Sequence, residues 1–304
     1  MVMYTRTIYI CFETIKDSTE KGLSAKIGSI LEKGELKLGN CRRQGHDKGV
    51  KEKKSKMRIS SVLITGANRG IGLEFVKQFL DQPSPPNFIF ATCRNPSKAE
   101  DLQKIAKSNP NVKILQLDVR ETESFPEIKK QVEQEVGGTG LNLLINNAGI
   151  LHKHSLEDVT MNAMMENFEV NTVSPLLLTK SLLPLLKTAA SKVDGDKLSC
   201  ARAAVVNITS KMGSIDDNTS GGYYPYRASK VALNMVTKSL SCDLKPFGIL
   251  AFVLHPGWVQ TDMGGKAGLI NTTTSVDGML NTIQQASEKH CGLMFNYDGK
   301  VIPW

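Results

Sequence analysis

Tyr226 and Lys230 stand four residues apart in Tyr226-Arg227-Ala228-Ser229-Lys230, which puts a phenol and an ammonium on one face of a helix. Such a pair can move a proton. A free tyrosine titrates near 10, so a proton-transfer role at neutral pH costs about 4 kcal/mol. A lysine charge ~4 Å away supplies roughly that much at an effective dielectric of about 20. The neighbouring Tyr223 and Tyr224 act as controls, because four residues beyond them lie Arg227 and Ala228. The spacing also fits an exposed helix with an incidental pair, so the surroundings must decide. Ser210 follows the apolar run Ala203–Ile208, where its hydroxyl could hold a carbonyl oxygen beside the phenol or cap a turn. Asn171 falls inside a long helical stretch, where asparagine is a poor helix former. Its amide bonds a broken turn, orders a water, or is merely exposed.

The elements that must position these groups follow from periodicity. Ile59–Ile64 is short, apolar and β-branched, as a buried parallel strand is. It enters Thr65-Gly66-Ala67-Asn68-Arg69-Gly70-Ile71-Gly72, and apolar residues at helical spacing follow from Leu73 to Leu80. A strand, a glycine-rich turn and a helix make an anion site, with free N–H groups and a partial positive charge at the helix start. The G-x-x-x-G-x-G spacing also suits a tight turn with no ligand. Further strands are expected over 87–92, 112–117, 141–145, 203–208, 250–254 and 293–295. Helices are expected from Asn95–Ser97 to about Ser108, then to Val136, from near Met161 to Leu186, over Tyr226–Leu244 and over Ser275–Lys289. The alternation predicts one α/β domain, a Rossmann-type doubly wound parallel sheet with helices on both faces.

In such a sheet the ligand lies beyond the C-terminal ends of the strands. Gly66, Thr92 to Arg94, Asp118, Asn146 to Gly149, Ser210 and Pro256-Gly257 all fall at those ends. That coincidence points to a nucleotide lying across the sheet. Its type follows from charge. An NAD site presents an acid after the second strand, whereas here Thr92-Cys93-Arg94 has none and Arg69 sits in the glycine turn. Two guanidiniums suit the 2′-phosphate of NADP(H), unless Arg94 points to solvent.

The chain has 304 residues and a net charge of +8, but the charge is lopsided. Residues 1–56 hold 13 Lys and Arg against 7 Asp and Glu, leaving 25 against 23 over 57–304. We therefore expect a basic, disordered extension over 1–56 and the catalytic domain over 57–304, with Met57 an alternative start. Composition gives the domain no nucleic-acid-binding face. The basic run Lys48 to Arg58 leaves nucleic-acid binding by the extension open as a separate hypothesis. The longest apolar run of the extension, Ile8–Phe12, is too short for a signal peptide or a membrane span. Six scattered cysteines suggest neither disulfides nor zinc, so a reducing cytoplasm is the expected location, with no metal and no membrane.

Taken in order, T-G-x-x-x-G-I-G at Thr65–Gly72, N-N-A-G at Asn146–Gly149, Asn171, Ser210, Y-x-x-x-K at Tyr226–Lys230 and Pro256-Gly257 resemble the motifs of classical short-chain dehydrogenases/reductases. The likeness covers residues 58–304. With Thr92–Asn95, His255–Gly265 and Asn296–Gly299, it is nearest to the sniffer-like carbonyl reductases, related to the C-factor group. The resemblance implies that Tyr226 is the general acid and that Lys230 lowers its pKa and binds the nicotinamide ribose. Ser210 would position the substrate oxygen and Asn171 would support a water relay. Gly66, Asn68, Arg69, Gly70, Ile71 and Gly72 would cradle phosphates. Arg94 would meet the 2′-phosphate, Asp118 and Val119 the adenine. Asn147, Ala148, Gly149, Pro256, Gly257, Val259 and Thr261 would line the nicotinamide side, Thr261 holding the carboxamide.

The implied activity is NADPH-dependent reduction of a small aldehyde, ketone or quinone. A cofactor-bound regulatory protein with little turnover is the alternative, and the long helices imply a possible homodimer. Ser210 and Tyr226 are 16 residues apart, a wider gap than in many family members. Asp216–Gly222 therefore reads as an insertion bordering the substrate entrance, along with His152–His154 and Gly264–Asn271. Trp258 could line the pocket or pack the strand end.

Overall fold

Strand β1 (Ser61–Ile64) is buried at every position and lies inside an eight-stranded sheet. The computed structural model describes residues 58–193, 195 and 197–304, so the extension expected over 1–56 lies outside the described residues. The other strands are β2 (Phe88–Cys93), β3 (Val112–Gln116), β4 (Leu143–Asn146), β5 (Ala204–Ile208), β6 (Leu250–His255), β7 (Met294–Asn296) and β8 (Val301–Ile302). Their order is 3-2-1-4-5-6-7-8, parallel throughout except for β7 with β8. The order reverses between β1 and β4, and the crevice at such a switch point is where open α/β sheets bind ligands.

Side chains alternate across the sheet, and each face carries its own apolar layer. Val62, Ile64, Ile89, Ala91 and Phe252 pack against α1 (Gly70–Leu80), α2 (Glu100–Ser108) and α7 (Thr272–Gln285) through Phe75, Phe79, Leu102, Met279 and Ile283. Leu63, Phe90, Leu144 and Val205 face the other way. They meet α3 (Phe125–Val136), α5 (Ser174–Ser191) and α6 (Tyr224–Leu244) through Phe125, Val132, Leu178, Leu182 and Leu244. Truncating a fully buried ring such as Phe79 to alanine would cost about 3–5 kcal/mol.

Three expectations shift. A single 3₁₀ turn, Pro96–Lys98, occupies the expected start of α2, which begins only at Glu100. Asn95 does not cap it, because its Oδ1 accepts from the Ser97 hydroxyl at 2.6 Å. α7 starts earlier than expected, capped by Asn271 Oδ1 on Thr274 N–H at 2.8 Å, and ends at Gln285 because Ala286 is extended. Strand β8 was not anticipated. A turn through Asn296 and Lys300 folds it back on β7, as a two-residue strand carries no periodic signal. Among the described residues no helix is long and apolar enough to cross a membrane.

Candidate active site

The glycine turn packs closely against the end of β4. Gly66 has φ +66°, and a β-carbon on Gly72 would strike Gly66 O and Asn147 Nδ2. Arg69 occupies the N-cap of α1 but supplies no side-chain cap, so the first N–H groups of the helix remain available to an anion. The turn is laced to the end of β4. Thr65 Oγ1 accepts from Asn147 N–H and Ala148 N–H at 2.9 Å each, and Asn147 Nδ2 donates to Thr65 O at 2.9 Å. At the end of β2, Thr92 Oγ1 is buried with no partner among the described residues. A backbone cradle, an uncapped helix start and an orphan hydroxyl fit a dinucleotide.

The proton-transfer candidates converge on the same edge. α4 (Met161–Phe168) is separated from α5 by a π-helical turn, Glu169–Val173, which carries Asn171. Asn171 is 0% exposed, which removes the reading of a merely exposed amide and leaves it inside the π turn. Its Oδ1 accepts from Ile150 N–H and its Nδ2 donates to Ile150 O, both at 2.9 Å, and to Ser229 Oγ at 3.0 Å. A β-carbon on Gly149 would sit 3.1 Å from Asn171 Oδ1 and 3.7 Å from Lys230 Nζ, which brings the three residues together. Of the two jobs considered for Ser210, the cap is the one the geometry shows. Ser210 caps the turn Lys211–Gly213 by accepting from Met212 N–H at 3.1 Å, and it hydrogen-bonds the Tyr226 phenol.

The electrostatics depart from expectation. Burial pushes the Tyr226 phenol up to about 12, with the Ser210 hydrogen bond pulling weakly the other way. Lys230 does not offset that burial. Its Nζ lies 5.7 Å from the phenol ring centre and donates to Ile208 O at 2.9 Å, while burial draws it down to about 8. Both charged forms are penalised by the same apolar surroundings.

The remaining predicted contacts lie around the crevice. Arg94 is exposed just beyond β2. Asp118, beyond β3, accepts from Arg120 N–H at 3.0 Å, and Val119 follows it. Arg69 pairs with Asp262 at the surface. Thr261 Oγ1 accepts from Gly264 N–H at 3.1 Å, and its methyl would lie 3.4 Å from a β-carbon on Gly70, so this loop touches the glycine turn. Asn68 and Ile71 lie in that turn and at the start of α1, and Val259, Pro256 and Gly257 follow β6. Trp258 is exposed, its indole N–H donating to Gly264 O at 2.7 Å. His152 and His154 pair with Glu166 and Asp158.

Asn146 apart, the residues that brace the site escaped the sequence reading. Asn146 Nδ2 donates to Asn207 Oδ1 and Asn207 Nδ2 to Thr237 Oγ1, each at 2.7 Å, crossing two strands and α6. Thr209 Oγ1 donates to Asn234 Oδ1 at 2.6 Å, and Asn234 Nδ2 to Gly213 O at 2.9 Å, which fixes the Ser210 turn on α6. Thr172 Oγ1 donates to Ser229 O at 2.8 Å and holds the π turn against the same helix. An asparagine inside the apolar run Ala204-Val205-Val206-Asn207-Ile208 was the available signal, since a buried amide needs partners.

Residues 60–270 match the family model of short chain dehydrogenases, and the chain belongs to that family of oxidoreductases. It is similar to the carbonyl reductase Sniffer of D. melanogaster, at 43% identity and a TM-score of 0.80 over 81% of this chain and 100% of that one. An NADPH-bound carbonyl reductase from chicken fatty liver is 45% identical, with a TM-score of 0.79 over 81% of this chain and 95% of that one. The C-signal protein of Myxococcus xanthus is 42% identical over 165 residues, 54% of this chain and 93% of its own. The likeness to sniffer-like carbonyl reductases drawn from the motifs stands.

Proposed function

We propose that the chain is an NADPH-dependent reductase of small aldehydes, ketones or quinones, working in the cytoplasm with Tyr226 as proton donor. The observation that carries this reading is the meeting of Ser210, Tyr226, Lys230 and Asn171 beside the glycine cradle. The cofactor supplies the hydride when bound. Gly66 to Gly72, Asn147 to Gly149, Arg94, Asp118 and Val119, and the loop from Pro256 through Thr261 would hold it.

The protein's part is to orient and to protonate. Ser210 Oγ, already bonded to the phenol, positions the carbonyl oxygen next to Tyr226 Oη. A phenol raised to about 12 is fully protonated at neutral pH. The alkoxide that forms is a stronger base than the phenolate, its conjugate acid being about as weak as water, so the transfer runs downhill. Lys230 and Asn171, joined near Gly149, would return a proton to the phenol from solvent.

NADPH oxidation by the full chain against a panel of carbonyl compounds, compared with Tyr226→Phe, tests the assignment. Turnover should fall by about 10²-fold or more, as for loss of a general acid, with cofactor binding kept. Equal activity in the two proteins would overturn it. The resemblance to C-signal favours a second reading, a signalling protein with little turnover. Such a protein has no use for the buried phenol, and its signal would survive Tyr226→Phe. A homodimer is proposed through the long helices, where α4 and the π turn expose Met161, Met165 and Val173, to be read by light scattering.

A further inference from the structure

The chain leaves Ser210 and returns at Tyr226, and because those two hydroxyls are bonded, the excursion 211–225 begins and ends at the reacting atoms. Its interior is tightly tied. Lys211 Nζ pairs with Asp217 at 3.0 Å, Asp217 N–H donates to Ser214 Oγ at 3.1 Å, and Gly221 N–H donates to Asn218 Oδ1 at 3.1 Å. The loop is also tied to the last residue of the chain, with Asp216 N–H donating to the Trp304 carbonyl at 3.0 Å.

The returning limb turns through left-handed backbone, which costs nothing at its glycines but is unfavourable at Tyr223. Gly221, Gly222 and Tyr223 have φ of +61°, +64° and +53° in succession, and Tyr223 is the one non-glycine with positive φ among the described residues. A side chain persists there only where its surroundings over-determine it. Arg227, next in sequence to Tyr226, supplies that constraint. Its Nε donates to Gly221 O and Gly222 O at 3.2 Å each, Nη2 to Ser220 Oγ at 2.9 Å and Nη1 to Met212 O at 3.4 Å. One planar guanidinium thus joins the outgoing limb at Met212 to the returning limb at Ser220–Gly222, a fork that a lysine cannot reproduce.

We propose that Arg227 is a positioning residue which, with the Trp304 carbonyl as second anchor, holds the 214–223 loop as a preformed wall of the substrate entrance. The inference rests on the reductase reading and adds what the wall selects. Ile215 and Tyr223 are exposed on it, so an ordered wall favours carbonyl compounds with bulky apolar substituents, such as polycyclic quinones, over short aliphatic aldehydes.

The test uses the full chain, its Arg227→Lys variant and a variant lacking Trp304. Amide hydrogen exchange over 214–223, measured without substrate, should speed up by about tenfold or more in both. The KM for a polycyclic quinone should rise about tenfold in both, equivalent to roughly 1.4 kcal/mol. The kcat for a short aliphatic aldehyde and the Kd for NADPH should stay within about twofold. Unchanged exchange overturns the proposal. So does an equal loss of kcat on both compounds at constant KM, which would mean that Arg227 acts on Tyr226 and not on the loop. Wild-type protein inactive on both compounds would sink the reductase reading, while the exchange rates would still decide whether Arg227 orders the loop.

Discussion

The amide of Asn171 is bonded on both of its polar atoms to the backbone of Ile150, Oδ1 to N–H and Nδ2 to C=O, each at 2.9 Å. The contact joins the π turn to the segment following the Asn146–Gly149 motif, and so couples the wall of the crevice to its floor. Asn171→Ala leaves both Ile150 groups without that partner in a part-buried place, at up to about 1–3 kcal/mol each. Urea denaturation should show a loss of roughly 2–4 kcal/mol, the lower end if water enters. A loss under about 0.5 kcal/mol, typical of a surface change, would mean that the amide is dispensable to the fold.

The two buried partners at the reaction centre predict an unusual pH profile. Tyr226, pushed up to about 12, stays a phenol across the working range, whereas Lys230, drawn down to about 8, loses its charge within it. For carbonyl reduction, kcat/KM reports the groups of the free enzyme. It should be level below pH 7 and fall as pH rises through about 8, following one proton. Lys230→Arg, which keeps its charge, should carry the level region past pH 9 even if the absolute rate is lower. A wild-type profile that is flat to pH 10 would remove Lys230 charge from the account.

Local spacing made much of the site legible. The apolar run of β1, the glycine turn after it and the Tyr226–Lys230 interval are each short-range patterns, and all three sit where expected. Asn171 stood out because a poor helix former interrupted a helical pattern, but its partner Ile150 lies 21 residues away and no local rule selects it. The same limit hid the Asn146–Asn207–Thr237 chain, which exists only once β4 and β5 are paired. Spacing put Lys230 on the phenol's face of the helix. It did not reveal that the ammonium spends its hydrogen bond on Ile208, nor that burial would outweigh the neighbouring charge.

His255 ends β6 with a buried Nδ1 that has no partner among the described residues, and burial, helped by the Lys211 charge, draws its pKa from 6.5 to about 4. Asp217 opposes weakly, being itself paired to Lys211. The unfolded chain therefore binds more protons between pH 6.5 and 4, so stability from this group is whole above 6.5 and lost as pH falls towards 4. The loss amounts to about 3 kcal/mol. His255→Phe should flatten that part of the acid limb in urea titrations taken at pH 7, 5.5 and 4.5. Curves that stay parallel for the two proteins would show that His255 protonates as freely folded as unfolded.

Arg69 and Asp262 pair across the contact between the glycine turn and the Thr261 loop, with side chains 68% and 75% exposed. Exposed pairs of this kind contribute about 0–1 kcal/mol, so a stronger anion can take the guanidinium from the carboxylate. On the NADP reading, Asp262 is a competitor for the 2′-phosphate. Asp262→Asn should tighten NADPH by up to about fivefold and leave NADH unchanged, with the gain shrinking as salt rises. Arg94→Ala should do the opposite and weaken NADPH far more than NADH. Fluorescence titration with both nucleotides measures each. If either substitution moves the two affinities together, the 2′-phosphate is not what these guanidiniums meet, and coenzyme choice must lie elsewhere on the rim.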